Sequence, residues 1–260
     1  MRKRSLVVGL LAGVVTAAAA AVMVPSAFAD NEGGVTPKIV GGGDADQEYS
    51  FMVSLQQDGQ HFCGGSLINA EWVVTAAHCV QGQDPSAVSM RIGTNKWAEG
   101  GEEAQAAEIT VNPGYDGSSP GNDIALVKLA APATSAPIQL AGEAPTGTKS
   151  RLLGWGQTCP EPGGCGAPDM LQQLDVEVLD AGSCTDIDGS VELCTSNPGG
   201  NAGACYGDSG GPQIVGDAGN FQLVGVTSRS GNGDSTCATG PSIYTNATAY
   251  ADWIAQTTGA

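Results

Sequence analysis

The sequence predicts a mostly β protein built as a barrel or a sandwich. Three observations carry this: short alternating or apolar runs recur along the chain, turn-rich pieces separate them, and helical spacing appears only near the C-terminus.

The first 29 residues stand apart from the fold. Arg2, Lys3 and Arg4 precede a charge-free run from Ser5 to Ala29, which ends in Ala27-Phe28-Ala29, a small-x-small pattern of the signal-peptidase kind. The run is long enough to span a bilayer as an uncleaved anchor, but Pro25 and the cleavage pattern argue for removal before Asp30. From there the candidate strands are Phe51 to Leu55, Trp72 to Thr75, Val88 to Ile92, Glu108 to Val111, Ile124 to Leu129, Leu171 to Leu179, Phe221 to Val226 and Ser242 to Tyr244. The pieces QQDGQ, NPGYDGSSPGND, CPEPGGC and GNGDS break them apart with turn-forming residues. Residues 131–148, with Pro132, Pro137 and Pro145 and no strand periodicity, read as a connector between two β halves. Tyr250, Trp253 and Ile254 fall on one helical face after Asn246, a fitting cap for a short helix.

Composition narrows the function. With 260 residues, 41% of them hydrophobic, the chain can bury one sizeable core or two modest ones. Its 27 acidic against 10 basic residues give a formal net charge of -17, which favours solubility and disfavours nucleic acid and anionic membranes as partners. Eight cysteines in an exported chain read as disulfides, although spacing alone does not say how they pair. A zinc site is disfavoured because no CxxC spacing occurs and only His61 and His78 exist.

Chemistry concentrates in NAGACYGDSGGP, residues 201–212. Here Ser209 sits beside Asp208 and among Gly203, Gly207, Gly210 and Gly211, so its hydroxyl is accessible and its loop can take unusual dihedrals. A surface turn would look the same. A serine nucleophile needs a base and a carboxylate to orient that base. His78, in VVTAAHC, ends a β-rich run at a cysteine that can pin it, whereas His61, in GQHFCGG, reads as a structural histidine. Asp123, in GNDIALVKL, leads a strongly apolar strand and can be drawn inside beside an imidazole.

KIVGG at 38–42, TAAHC at 75–79, NDIALVKL at 122–129 and GDSGGP at 207–212, in this order, resemble the trypsin/chymotrypsin family of serine proteases. The resemblance spans residues 39 to about 256. It implies a chymotrypsin-like fold: two packed antiparallel six-stranded β-barrels, roughly 39–135 and 136–245, with a short C-terminal helix. It also implies a secreted, extracellular endopeptidase with no cofactor and no metal. Ser209 is then the nucleophile, His78 the general base, Asp123 the group that orients it, and Ser228 the hydroxyl that supports the aspartate. The N–H groups of Gly207 and Ser209 form the oxyanion hole. All three catalytic positions are filled, which disfavours a catalytically silent homologue.

The same resemblance divides the remainder of the chain into a signal peptide (1–29), an activation propeptide (30–38) and a protease domain (39–260). Cutting between Lys38 and Ile39 frees an α-amino group to pair with Asp208, which leaves its pocket while Ile39 is still in peptide linkage. Family positions pair Cys63 with Cys79, Cys205 with Cys237 and Cys184 with Cys194, which leaves Cys159 with Cys165. The specificity pocket is lined by Gly203, Ala204, Ser228, Ser230 and Ser242. Gly203 stands where trypsin-like members carry an aspartate, so a chymotrypsin-like or elastase-like preference for uncharged residues is expected. Arg229 replaces a usual tryptophan. Its cation either lines the substrate channel and favours acidic residues upstream of the cut or lies outward on the acidic surface. Asp234 is a remote alternative anion for a basic substrate. Glu99, Glu102 and Glu103 form an acidic loop for which no calcium is predicted. The partners implied are protein or peptide substrates, an activating protease and, as a further option, proteinaceous inhibitors, with the enzyme acting as a monomer.

Overall fold

The computed structural model describes residues 39–259. The expected signal peptide (1–29) and propeptide (30–38), with Lys38, lie outside the described residues.

Fourteen strands and two α-helices follow in order among the described residues: β1 (Gly43–Asp44), β2 (Met52–Gln57), β3 (Gln60–Asn69), β4 (Trp72–Thr75), α1 (Ala77–Val80), β5 (Ser89–Ile92), β6 (Glu102–Val111), β7 (Ala125–Leu129), β8 (Gln139–Leu140), β9 (Lys149–Gly154), β10 (Gln172–Leu179), β11 (Glu192–Thr195), β12 (Pro212–Val215), β13 (Gln222–Ser230), β14 (Ser242–Asn246) and α2 (Ala251–Thr258). The first barrel closes in the order β2-β3-β4-β7-β6-β5. The second is the ring β9-β10-β11-β14-β13-β12, closed by β12 on β9, with β1 added to β10 and β8 added in parallel to β13. All ring pairings are antiparallel. Two six-stranded barrels and a C-terminal helix are the architecture that the sequence motifs imply.

Local chemistry explains the elements. WVVT in β4 and ALVKL in β7 are rich in residues that pack on a pleated surface, and Val73, Val74, Leu126 and Val127 are fully buried. β2 turns into β3 through Asp58 and Gly59, both with positive φ (52° and 73°), as a two-residue hairpin between right-twisted strands requires. Asn246 caps with its side chain, accepting from the Thr248 N–H, but the turn it opens is the 3-10 segment Ala247–Tyr250, which runs on into α2.

The structure departs from the expected elements in physical ways. β3, β9, β11 and β12 carry no expected run, because QHFCGGSLIN breaks apolar alternation with glycines and the others are short or mixed. β6 begins at Glu102, since its solvent-facing half, EEAQAA, holds no large apolar side chain. The first barrel does not begin at residue 39: Gly43 and Asp44 pair with Gln173 and Gln172 of the second barrel, and Ile39 lies in a cluster with Leu152, Val176 and Tyr244. Conversely, Tyr250 near the C-terminus bonds Asn122 of the first barrel and, with Ile254, joins a cluster drawn from both barrels. Each end of the described chain therefore packs on the opposite barrel.

Four disulfides join Cys63 to Cys79, Cys159 to Cys165, Cys184 to Cys194 and Cys205 to Cys237. Closing the 16-residue separation between Cys63 and Cys79 contributes roughly 3 kcal/mol in a chain-entropy description.

The Tyr250 hydroxyl accepts the Asn122 N–H (2.8 Å) and donates to Asn122 Oδ1 (3.2 Å), so it ties the helical end to the turn before β7. Tyr250→Phe leaves both groups without that partner. The expected result in urea titration is a loss of about 1–3 kcal/mol with an unchanged slope.

Candidate active site

His78 and Asp123 are delivered by neighbouring strands. β4 pairs with β7; His78 follows β4 in the single turn α1, and Asp123 lies two residues before β7. The disulfide at Cys79 fixes α1 against β3. His78 Nδ1 lies 2.7 Å from Asp123 Oδ2, the His78 N–H donates to Asp123 Oδ1 at 2.9 Å, and the Ser228 hydroxyl donates to Oδ2 at 2.6 Å. The Asp123 side chain is 8% exposed and that of His78 34%. Burial alone would push the Asp123 carboxyl up. The hydrogen bonds and charge of His78, with the bond from Ser228, outweigh it and hold the carboxyl below its ordinary value. Ser228 owes its aim to a bulge in β13: Thr227 faces Tyr244 and Arg229 faces Ile243, so Ser228 is the extra residue between them.

Ser209 sits on a turn packed backbone against backbone. Its carbonyl accepts the Gly64 N–H at 2.7 Å, and the N–H groups of Asp208, Gly210 and Gly211 are taken by Cys205, Thr227 and Asp208. Among the described residues no acceptor takes the N–H of Gly207 or of Ser209. Gly210 has φ 78°, and a Cβ there would lie 2.2 Å from Thr75 Oγ1 and 2.5 Å from the Gly64 carbonyl. Gly207 has φ 98° with the Gly156 Cα 3.1 Å from where its Cβ would be. These two glycines are thus required by both dihedral and space.

His61 is fully engaged behind this turn. Nε2 is 3.0 Å from the Gly207 carbonyl and Nδ1 is 2.9 Å from Ser54 Oγ. A carbonyl only accepts, so Nε2 carries the proton and Nδ1 accepts from the serine. Burial pushes His61 down to about 4, which keeps it neutral at neutral pH.

Asp208 points away from Ser209 into a pocket floored by Gly154 and Gly156, where any Cβ would strike its carboxylate. It accepts N–H groups from Gly156 and Cys205, both at 2.8 Å. Burial outweighs these two bonds and pushes its carboxyl up to about 7. Two backbone donors thus hold Asp208 in its pocket. Ile39 is 1% exposed, and the Val40 carbonyl accepts the Gly203 N–H at 2.9 Å.

His78, Gly207 and Ser209 line a cleft of about 620 Å³ with Ala204, Ser228, Ser230 and Ser242. Gly203 is buried behind that surface, and a Cβ on it would make ordinary contact with Ser242 Oγ (3.7 Å) and Ala238 (3.8 Å). Asp234 lines the cleft but is exposed, and its carboxylate accepts from the Thr236 N–H and the Thr239 hydroxyl. The Cys159–Cys165 loop props the far wall: the Pro160 carbonyl accepts the Cys237 N–H at 2.8 Å. Cys63 and Cys79 lie close to His78, but their sulfurs are joined to each other and so offer no thiolate to a metal.

Three acidic groups of the loop after Arg91 are held within the protein. Glu99 bonds Lys96, Glu103 bonds Arg91 at 2.7 Å, and Glu102 accepts from Thr134 and Ser135 and is held down to about 2. Arg229 lines the cleft, as the first of its two expected courses has it, but its charge is answered inside the protein. Its guanidinium pairs with the buried carboxylate of Glu192 and donates to the Asp186 carbonyl. Of the residues that brace the Asp123 segment, Glu192 and Thr245 were not singled out by sequence, and Tyr250 was read only as part of a helical face. For Glu192 the signal was present: like Asp123, it is an acidic residue at the head of a buried strand.

Two closed barrels with an Asp–His pair and a serine turn at one cleft make up a serine endopeptidase. The Trypsin family model matches residues 39–254, and the chain belongs to that family. It is 39% identical to a trypsin of Sus scrofa over 86% of this chain and 96% of the relative. It is also 39% identical to cationic trypsin-3 of Rattus norvegicus (86% and 90% covered) and 37% identical to a trypsin of Saccharopolyspora erythraea (84% and 97% covered).

The raised Asp208 carboxyl has a sign that can be tested. The folded state binds this proton more tightly than the unfolded state, so stability falls as pH rises from the ordinary value of 3.8 to about 7. Asp208→Asn is expected to flatten that fall when the melting temperature is followed against pH.

Proposed function

We propose that the chain is a secreted endopeptidase, made as a zymogen, that hydrolyses peptide bonds through an acyl-enzyme on Ser209. The observation that carries this is the joint lining of one cleft by Ser209 and by His78, whose Nδ1 is already held by Asp123. Nε2 is then the nitrogen left to take the serine proton and return it to the leaving amine, while Asp123 fixes the tautomer and stabilises the imidazolium. The unpartnered N–H groups of Gly207 and Ser209 supply an oxyanion hole. Loss of one such donor costs about 10²- to 10³-fold in rate, roughly 3–4 kcal/mol.

The substrate is cut after an uncharged residue. Gly203, Ala238 and Ser242 bring no anion to the end of the cleft, so a lysine or arginine side chain would enter without a buried partner. The second reading, a cationic side chain paired with Asp234, is favoured only by that residue's place on the cleft wall.

Activation follows from Asp208. A cut between Lys38 and Ile39 creates an ammonium that compensates a carboxylate now held by two N–H groups alone, and its pairing lowers the Asp208 pKa again. An enzyme that rejects lysine does not make this cut itself, so a second, trypsin-like protease is the implied partner, and the signal segment directs both steps outside the cell.

The test is a panel of peptide amides that differ only in the residue before the cut, offered to the 39–260 form with Ser209→Ala as control. Turnover after Phe, Tyr, Leu or Ala but not Lys or Arg is expected. Turnover mainly after Lys or Arg would assign the pocket anion to Asp234, and turnover that survives Ser209→Ala would remove the proposed nucleophile.

A further inference from the structure

We infer that Glu192 and Arg229 are a positioning pair for Asp123: Glu192 holds the turn that delivers the carboxylate, and Arg229 neutralises Glu192 while bracing Ser228. The inference rests on the reading of Asp123 as the partner of His78.

Glu192 heads β11 with a fully buried side chain (0% exposed). Its two oxygens gather donors from three separate segments. Oε1 accepts the Gly121 N–H at 3.0 Å, two residues before Asp123; Oε2 accepts the Asp188 N–H at 2.8 Å; and the Arg229 guanidinium bonds both, with Nη2 to Oε2 at 3.0 Å. The strand partner of Glu192 is Thr245, whose hydroxyl donates to the Asp123 carbonyl at 2.8 Å. With Tyr250 on Asn122 and Ser228 on the carboxylate, Gly121, Asn122 and Asp123 are each held by the second barrel or the helical end that follows it.

Arg229 completes the arrangement from the other side. Its Nη1 lies 3.4 Å from Ser228 Oγ, the atom that donates to Asp123 Oδ2. A cation behind that hydroxyl polarises the bond it gives. Without the guanidinium, Glu192 would be a buried anion with two N–H donors only, close to a second buried anion. The titratable and charged groups around the pair are Asp123 and His78 of the first barrel, Tyr115 before β7, Asp186 and Asp188 in the Cys184–Cys194 loop, and Tyr250. Paired, Glu192 and Arg229 add no net charge to this group; separated, each acts on His78 with opposite sign.

The experiment follows kcat and KM against pH for the 39–260 form on one good amide substrate, with active sites counted by a serine-reactive phosphonate so that only folded enzyme enters kcat. Glu192→Gln leaves one acceptor oxygen where two were in use and an unneutralised cation. Its kcat is expected to fall about tenfold with KM within about twofold, and the acid limb of kcat/KM to move roughly half a pH unit lower, because the cation disfavours imidazolium. Arg229→Gln leaves an excess anion and moves the limb upward. Arg229→Lys keeps the charge and keeps the limb at its wild-type position, while the double Gln variant returns it there with kcat still reduced. Limbs of the two single variants that stay put or move together would overturn the inference alone. Wild-type turnover that persists in Ser209→Ala would instead overturn the reading on which it rests.

Discussion

Burial of the Asp123 carboxylate between two barrels is the constraint from which the remainder of the site follows. An anion removed from water must be repaid in hydrogen bonds, and Asp123 finds them on both sides: two from His78 in its own barrel and one from Ser228 in the other. The Asp123 carbonyl, too, is held across the gap by Thr245. Apolar packing brings the barrels together, but these polar contacts fix their register at the cleft. Glycine makes the close approach possible, since Gly64 and Gly211 meet backbone to backbone and neither tolerates a Cβ.

Two aspartates are buried among the described residues, with opposite electrostatics. Asp123 has an imidazole and stays below its ordinary value, while Asp208 has only backbone donors and is pushed up to about 7. The difference is that side-chain donors from His78 and Ser228 offset burial at Asp123, whereas burial outweighs the two backbone donors at Asp208. Asp208 is held one residue from Ser209, so whatever supplies positive charge in its pocket acts on the turn that presents the serine.

Much of this was legible in the sequence, and unevenly so. Strongly apolar runs such as Trp72–Thr75 and the strand after Asp123 announced themselves, because both of their faces are buried. β3 did not, since Gly64 and Gly65 are there for contact rather than strand propensity, and a single sequence does not say which. Ser209, His78 and Asp123 were found through local motifs. Of their supports, Ser228 was named through the family resemblance and Tyr250 was read only as part of a helical face, while Glu192 and Thr245 went unnoticed, because these groups reach the Asp123 segment only after the second barrel has folded back on the first. Arg229 shows the limit most plainly: its position was readable, but its charge was already answered by a glutamate 37 residues earlier.

The exchange of chain ends between barrels also bears on how the molecule assembles. The first barrel uses Tyr250 to hold a turn 128 residues earlier, and Asp123 waits for Ser228, 105 residues later. Contacts so distant in sequence are reached late and slowly. During synthesis the first half holds all six strands of its barrel, but the contacts that brace the turn before β7 and the Asp123 carboxylate come only with the second half. The geometry around Asp123 is therefore completed only by the last segments to emerge.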